Sequence, residues 1–204
     1  MSGGFGGAAE PKASAAPERS RRFVLLDRDG TINEEIGYVL RPEQLRLLPG
    51  AADALAELRD LGLGLVVVTN QSPIGRGMLD PDGLESIHDR LGELLAERGV
   101  TLDGIEHCPH RPDEGCACRK PGTLMVERAA AAFGFDPAGS WIVGDHAADM
   151  QLGRAVGAQT ILVRTGHGEE EIADGAGEFA DHVVDDVAAA VAVIGDQIRE
   201  EVDA

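Results

Sequence analysis

Short apolar runs alternate along the chain with longer segments whose apolar residues recur at helical spacing. The short runs predict strands over residues 22–26, 63–68, 104–107, 141–143 and 160–163. The longer segments predict helices over residues 51–61, 81–98, 123–133, 148–155 and 186–200. This alternation is typical of an α/β fold, so we expect a doubly wound, mainly parallel sheet with helices on both faces.

Three of the predicted strands run directly into polar clusters, at residues 27–31, 69–72 and 144–149. In doubly wound sheets, ligands bind beyond the carboxyl ends of the strands, where the strand order reverses. We therefore expect the three clusters to converge on one pocket.

The same pattern predicts the domain organisation. Residues 1–21 are rich in Gly, Ala, Ser and Pro and lack the apolar stretch of a secretory signal, so we expect a flexible tail. Residues 22–204 contain no linker, which predicts a single domain. No insert of domain size follows a strand, so we expect no large cap domain and a loop over residues 35–38 that covers the pocket. We also expect a monomer.

Composition limits the partners. A net charge of −18 argues against nucleic acid, and no apolar run approaches the roughly 20 residues that cross a membrane. Three cysteines are too few, and odd in number, for a disulfide framework, which favours a reducing cytoplasm. A chain of this net charge repels anions as a whole. An anionic ligand, such as a small phosphorylated metabolite, would therefore need a locally positive site, made by Arg, Lys, helix N-termini or a metal ion.

Lysine is rare in this chain. It occurs at Lys12, in the predicted tail, and at Lys120, whereas arginine is frequent. Lys120 indicates either a site that needs a compact point charge or chance survival in a lysine-poor chain, and composition does not separate the two.

Asp27 and Asp29 follow the first predicted strand with one residue between them. Two neighbouring carboxylates repel, so one needs a cation or a proton. Magnesium prefers oxygen ligands. We predict that Asp27, Asp29 and Asp145 bind a magnesium ion, with a backbone carbonyl as one of the donor groups. Asp-X-Asp-Gly by itself is also an ordinary turn sequence, but Thr69 and Lys120 follow it in order with Asp145.

Residues 23–31, with Thr69, Lys120 and Asp145 followed by Asp149, resemble the four motifs of the haloacid dehalogenase superfamily of phosphatases. The resemblance covers about residues 23–168. It implies that Asp27 is a nucleophile that forms an aspartyl-phosphate and that Asp29 is the general acid and base. It further implies that Thr69 and Lys120 stabilise the phosphoryl oxygens with a magnesium ion, and that Asp149 supports the metal site.

Within this superfamily, residues 67–72 and 116–121 resemble the D-glycero-D-manno-heptose 1,7-bisphosphate phosphatases and the related histidinol-phosphate phosphatases. Residues 32–33, 37–39, 70–72 and 76–77 favour the heptose group and removal of its 7-phosphate. Histidinol phosphate stays an alternative, because Glu34 and Glu35 could meet its amine and imidazole. The heptose group often has lysine where this chain has His146, which is a departure from the pattern. The predicted substrate-binding residues are Glu35, Ile36, Gly37, Tyr38, Asn70, Gln71, Ser72, Arg119 and His146.

Cys108, His110, Cys116 and Cys118 place four soft ligands within eleven residues. Four Cys and His ligands are typical of closed structural zinc sites, and the heptose group carries the same arrangement. The loop leads directly into Lys120, so a zinc ion would order the catalytic lysine. Buried free cysteines are the alternative. We expect His88, His167 and His182 at the surface or the edge of the core.

A signalling receiver domain is the alternative from another functional class, because receivers use Asp, Thr and Lys around a phosphorylated aspartate. Asp29 favours an enzyme, since it supplies acid–base catalysis for turnover. The order of the groups along the chain also differs from that of a receiver.

Overall fold

The computed structural model describes residues 21–203, which form a six-stranded sheet flanked by helices. The strands are β1 (Phe23–Leu26), β2 (Gly64–Asn70), β3 (Gly104–Cys108), β4 (Trp141–Gly144), β5 (Gln159–Val163) and β6 (His182–Val184). The helices are α1 (Ala51–Asp60), α2 (Ser72–Gly75), α3 (Pro81–Ala96), α4 (Leu124–Phe133), α5 (Ala147–Val156), α6 (Gly168–Ala173) and α7 (Val187–Asp203). The predicted tail lies outside the described residues except for Arg21, whose guanidinium donates to Asp103.

The strands lie in the order β3-β2-β1-β4-β5-β6, and every neighbouring pair is parallel. This confirms the predicted doubly wound sheet. The chain moves outward from β1 in one direction through β2 and β3, and in the other through β4, β5 and β6. The strand order therefore reverses between β1 and β4, and Leu26 is paired with both Val67 and Val143 at this point.

Side chains of β1 alternate between two buried layers, as the period of two in a strand requires. Val24 and Leu26 pack into a core with α1, α3 and α7, whereas Phe23 and Leu25 pack into a second core with α4 and α5. Because both faces are covered, the central strands are apolar throughout rather than alternating. Because β1 pairs in parallel with β2 and β4, the carboxyl ends of these three strands lie at one edge.

Several elements differ from the sequence prediction. Strand β6 and the short helices α2 and α6 were not predicted, because three to six residues are too few to show a period. Strand β2 continues to Asn70, two residues beyond its predicted end, since β3 runs alongside and pairs Thr69 with His107 and Asn70 with Cys108.

The described residues contain no inserted cap domain between the strands, in agreement with the prediction. Within residues 21–203, no helix combines the length and apolar character that membrane crossing requires.

Candidate active site

Lys120 lies at the centre of a buried ion-pair cluster where the strand order reverses. Its Nζ atom is 2.9 Å from Asp27 Oδ1 and 2.7 Å from Asp149 Oδ1, and it donates to the carbonyl of Val68 at 2.9 Å. Asp27 follows β1, Asp149 lies on α5 and Val68 lies in β2, so one ammonium group joins three elements. The structure thus brings together two residues that the sequence singled out, Asp27 and Lys120.

Burial raises the pKa of Asp27 to about 7, and the charges of Asp149 and Asp145 add to the effect although Lys120 opposes it. Burial lowers the pKa of Lys120, but the two carboxylates outweigh it and the net direction is upward. Burial also raises the pKa of Asp149. Two buried carboxylates share this one lysine and Asp145 lies beside them, and buried charge of this kind is usually paired or bound to a metal ion.

Asp145 is enclosed by backbone. Its Oδ2 atom accepts a hydrogen bond from the His167 backbone N–H at 2.9 Å. Gly30 and Gly166 have φ angles of +82° and +59°, and a Cβ on either would collide with this carboxylate. The two glycines therefore provide both the left-handed turns and the close backbone approach that hold Asp145 in place.

The ligand atoms of Asp27, Asp145, His146 and Asp149 all lie within 4.8 Å of one another. Oxygen donors predominate in this set, which suits a hard cation such as magnesium. His146 Nδ1 is 2.9 Å from Asp145 Oδ1, and this hydrogen bond raises the pKa of His146 to about 9. The carboxylates of Asp27, Asp145 and Asp149 therefore fit a divalent cation at this edge of the sheet, whereas His146 in its protonated form is not a ligand.

Asp29 is held separately from this cluster. Its Oδ2 atom is 2.7 Å from Nη2 of the fully buried Arg28, and its Oδ1 atom accepts from Asn33 at 2.9 Å. Gln71 donates to Oδ2 at 3.0 Å. Burial raises the pKa of Asp29, but the Arg28 charge and these hydrogen bonds outweigh it, so the pKa lies below its usual value. The side chain of Asp29 is thus engaged within the protein, and it is not among the ligand atoms that lie within 4.8 Å of one another.

The four predicted soft ligands also converge. The sulfur atoms of Cys108, Cys116 and Cys118 lie 3.2–3.6 Å apart, and His110 Nδ1 lies 3.6 Å from Cys108 Sγ and 3.2 Å from Cys118 Sγ. Tetrahedral zinc with bonds of about 2.3 Å to sulfur would separate its ligands by about 3.8 Å. The separations are too long for a disulfide and close to those of a zinc site.

Hydrogen bonds connect the cysteine loop, residues 108–118, to the segments that hold Lys120. The carbonyl of Cys108 accepts from Gln71 N at 2.7 Å, and Arg119 Nη1 donates to the carbonyl of His110 at 3.4 Å. The backbone N–H of Lys120 donates to Asn70 Oδ1 at 3.0 Å. Lys120 is therefore anchored to β2 on one side and to the cysteine loop on the other.

A cavity of about 420 Å³ opens above Asp27 and Lys120. Eight of the nine predicted substrate-binding residues line it: Glu35, Gly37, Tyr38, Asn70, Gln71, Ser72, Arg119 and His146. Ile36 is the exception; its side chain is exposed and is not among the lining residues. Glu35 accepts from the N–H of Gly37, which shapes the covering loop, and burial raises the pKa of Glu35.

His167 lines the same cavity although its side chain is exposed, and its ring lies edge-on to that of His146 with centroids 4.9 Å apart. The sequence analysis placed it only at the surface or core edge. It follows β5, so the rule applied to the ends of β1, β2 and β4 could have identified it. Pro112, at the start of a short turn in the cysteine loop, is a second lining residue that was missed.

Comparisons with known proteins show which proteins this chain is similar to. Residues 117–190 match a family model described as HAD-hydrolase-like. A D-glycero-D-manno-heptose-1,7-bisphosphate 7-phosphatase of Chlorobaculum tepidum is 41% identical, over 84% of this chain and 93% of the relative. The D-glycero-beta-D-manno-heptose-1,7-bisphosphate 7-phosphatase of Pseudomonas putida is 42% identical, over 82% of this chain and 96% of the relative.

A solved structure shows the same similarity in three dimensions. The D,D-heptose 1,7-bisphosphate phosphatase of B. bronchiseptica, crystallised with magnesium and phosphate, superposes with a TM-score of 0.81 at 37% identity. The match covers 86% of this chain and 99% of that one.

Proposed function

This chain belongs to the D-glycero-D-manno-heptose-1,7-bisphosphate 7-phosphatase family of haloacid dehalogenase-like hydrolases, and we propose that it removes the 7-phosphate of that sugar bisphosphate. The observation that carries the proposal is the ion pair between Lys120 Nζ and Asp27 Oδ1 at the base of the cavity. A buried carboxylate beside a buried ammonium provides a nucleophile and a cation that stabilises the phosphoryl oxygens.

Asp27 attacks the phosphorus atom and forms an aspartyl-phosphate, while the ester oxygen leaves as the alcohol. Lys120 and the Thr69 hydroxyl donate to the phosphoryl oxygens, which carry most of the charge in the transition state. Asp27, Asp145 and the backbone carbonyl of Asp29 would hold a magnesium ion, which would supply further positive charge beside the phosphoryl group. Asp149 keeps the ammonium of Lys120 in place, at 2.7 Å.

Asp29 transfers the protons in this proposal. It protonates the leaving alcohol and then takes a proton from the water that hydrolyses the aspartyl-phosphate. Its hydrogen bonds to Arg28, Asn33 and Gln71 favour the ionised form, which suits the second step. In the first step the phosphate dianion brings negative charge close to Asp29 and favours its protonation.

The cavity supports a bisphosphate substrate. Asp27 and Lys120 accommodate one phosphoryl group, so the other anion must bind elsewhere in the cavity. Arg119 and Arg76 both line it and offer guanidinium groups to a second phosphate. These two cations also explain how a chain of net charge −18 can attract a polyanion.

The cysteine loop supports a structural zinc site as a further part of the proposal. Four ligands leave no open position for water, so the ion would hold the loop and take no part in the chemistry. Zinc needs reduced thiols, which is consistent with a cytoplasmic location.

Initial rates of phosphate release across a panel test the substrate. The panel contains heptose 1,7-bisphosphate, heptose 1-phosphate, heptose 7-phosphate and histidinol phosphate, with the cleaved position identified by phosphorus NMR. We expect the highest kcat/KM for the bisphosphate, with release from position 7. Glu35 at the cavity rim favours histidinol phosphate as the second candidate, because its carboxylate could meet an amine. An equal or higher kcat/KM for histidinol phosphate would show that the heptose assignment is wrong and leave the phosphatase assignment standing.

A further inference from the structure

The side-chain amide of Gln71 bridges two residues of the proposed mechanism. Its Nε2 atom donates to Asp29 Oδ2 at 3.0 Å and to Thr69 Oγ1 at 2.9 Å. Gln71 is 3% exposed and Thr69 is 1% exposed, so the bond between them is shielded from bulk solvent. The backbone N–H of Gln71 donates to the carbonyl of Cys108, which fixes where the side chain starts.

The chemistry of the three groups sets the direction of both bonds. The carboxylate of Asp29 already accepts from Arg28 and Asn33, so it presents an acceptor to Gln71. The amide must therefore turn its NH₂ group toward Asp29 rather than its oxygen. Both amide hydrogens are then used, one on Asp29 and one on Thr69.

This arrangement makes the Thr69 hydroxyl a donor to the cavity. A hydroxyl has one hydrogen, and Thr69 Oγ1 accepts from Gln71, so its own hydrogen is free for another acceptor. Thr69 lines the cavity beside Lys120, where the phosphoryl oxygens are proposed to bind. The same arrangement leaves Gln71 no N–H for the substrate, which differs from the direct binding role expected from the sequence.

We propose that Gln71 is a positioning residue. It orients the Thr69 hydroxyl toward the transferred phosphoryl group and fixes the position of the Asp29 carboxylate beside that hydroxyl. The inference rests on the proposed phosphatase function, since it assigns Thr69 and Asp29 their roles there. Asn33 offers a matched comparison, because its amide donates to Asp29 Oδ1 at 2.9 Å and to the carbonyl of Glu34 at 3.0 Å, but not to Thr69.

The test uses the zinc-loaded full chain carrying Gln71→Met, Gln71→Glu or Asn33→Leu, each checked by thermal unfolding. Calorimetry measures the affinity for orthovanadate in the presence of magnesium, a readout that requires no turnover, and phosphate release gives kcat and KM. Gln71→Met should weaken vanadate binding about 10-fold and lower kcat by a similar factor, because it removes both bonds while keeping the side-chain volume. Gln71→Glu should weaken vanadate binding further, about 100-fold, since its carboxylate would take the Thr69 hydrogen and repel Asp29.

Asn33→Leu should lower kcat while changing vanadate affinity less than about 2-fold, because it removes a bond to Asp29 and one to the carbonyl of Glu34 but none to Thr69. In a Thr69→Val background, Gln71→Met should change vanadate affinity less than about 2-fold as well, since the group it orients has gone. Folded Gln71→Met and Gln71→Glu proteins that bind vanadate as the wild type does would overturn the inference. So would equal effects of Gln71→Met with and without Thr69. If the variants show the expected order of vanadate affinities but the wild type hydrolyses no phosphomonoester, the result would instead contradict the proposed function.

Discussion

The chain contains two clusters of metal-type ligands that differ in what holds them together. In the phosphoryl cluster, defined by Asp27, Lys120, Asp145 and Asp149, a lysine forms ion pairs of 2.7 and 2.9 Å with two carboxylates. The cysteine loop is defined by residues 108–118. Within the part of the chain that the structure describes, no lysine or arginine forms an ion pair with its ligand atoms. Burial raises the pKa of Cys108 to about 12, so without a metal ion this thiol keeps its proton at neutral pH.

The difference teaches which site depends on its metal for shape. Lys120 and the backbone of Gly30 and Gly166 hold the phosphoryl cluster, so a cation could enter and leave without rearranging it. The cysteine loop consists of turns and short 3-10 structure, and thiols make only weak hydrogen bonds. The thiols also differ in protonation, because the backbone hydrogen bond from Arg119 and those from the neighbouring thiols outweigh burial and lower the pKa of Cys116 to about 7. We expect exchangeable magnesium at the first site and firmly held zinc at the second.

The largest expected effect separates chemistry from folding in the phosphoryl cluster. Asp27→Asn should lower kcat at least about 10⁴-fold, because it removes the nucleophile, and Asp29→Asn should lower it about 10²- to 10⁴-fold. Both proteins should unfold cooperatively near the wild-type temperature. Phosphate release and thermal unfolding check this, and near-normal turnover by a folded Asp27→Asn protein would contradict the assigned nucleophile.

Removing magnesium should abolish activity reversibly. A brief chelator treatment should reduce phosphate release to background, and added magnesium should restore it within the mixing time, since the carboxylates stay in place. Elemental analysis of the treated protein should still find about one zinc per chain. Slow or incomplete recovery would show that the phosphoryl cluster also depends on its metal for shape.

Loss of zinc from the cysteine loop should lower activity, although the zinc site lies outside the phosphoryl cluster. Cys118→Ser should release the zinc, lower the unfolding temperature and reduce kcat about 10²-fold, because residue 118 is buried two positions before Lys120. Arg111→Ala is the matched control on the same loop; it pairs only with exposed neighbours, Asp113 and Glu114, and should keep the zinc and the activity. A zinc-free Cys118→Ser protein with wild-type kcat would show that activity does not depend on zinc in the cysteine loop.

Arg119 lies between the two clusters, and its substitution tests the second phosphate. Arg119→Ala should lower kcat/KM for the heptose bisphosphate about 10- to 100-fold, and that for heptose 7-phosphate less than about 3-fold, because only the bisphosphate presents a second anion. The hydrogen bond from its guanidinium to the carbonyl of His110 is long at 3.4 Å, so the loop should keep its zinc. Equal losses on both substrates would assign Arg119 to the reacting phosphate instead.

The smallest expected effect concerns stability against pH in metal-free protein. The folded-state pKa of Asp27 is raised to about 7 from an ordinary value of 3.8, so the folded state binds its proton more tightly. Its contribution to stability is therefore complete below about pH 4 and is lost as the pH rises to about 7. Asp27→Asn should flatten this part of the profile and unfold at a higher temperature than the wild type at pH 8, as thermal scans in chelator would show. Magnesium should reduce the difference by stabilising ionised Asp27. A steeper profile in Asp27→Asn would contradict the assigned pKa direction.

Local patterns in the sequence were enough for the central architecture. The runs that became β1, β2, β4 and β5 are apolar because both faces of a doubly wound sheet are buried, and this signal is local. The polar clusters after them identified Asp27, Thr69 and Asp145, because the ends of parallel strands must share an edge. Spacing alone also predicted the four soft ligands, which the structure brings within 4.8 Å of one another.

Only the tertiary structure decided how these groups are partnered. The sequence places Lys120 far from Asp27 and Asp149, and the ammonium joins them because the cysteine loop and β2 end beside the same edge. It likewise does not show that the Gln71 amide is used within the protein, or that His167 reaches the cavity while Ile36 does not. The physical reason is that residue type and periodicity record burial and local backbone preference. Hydrogen-bond partners depend on the approach of segments distant in sequence, which packing alone determines.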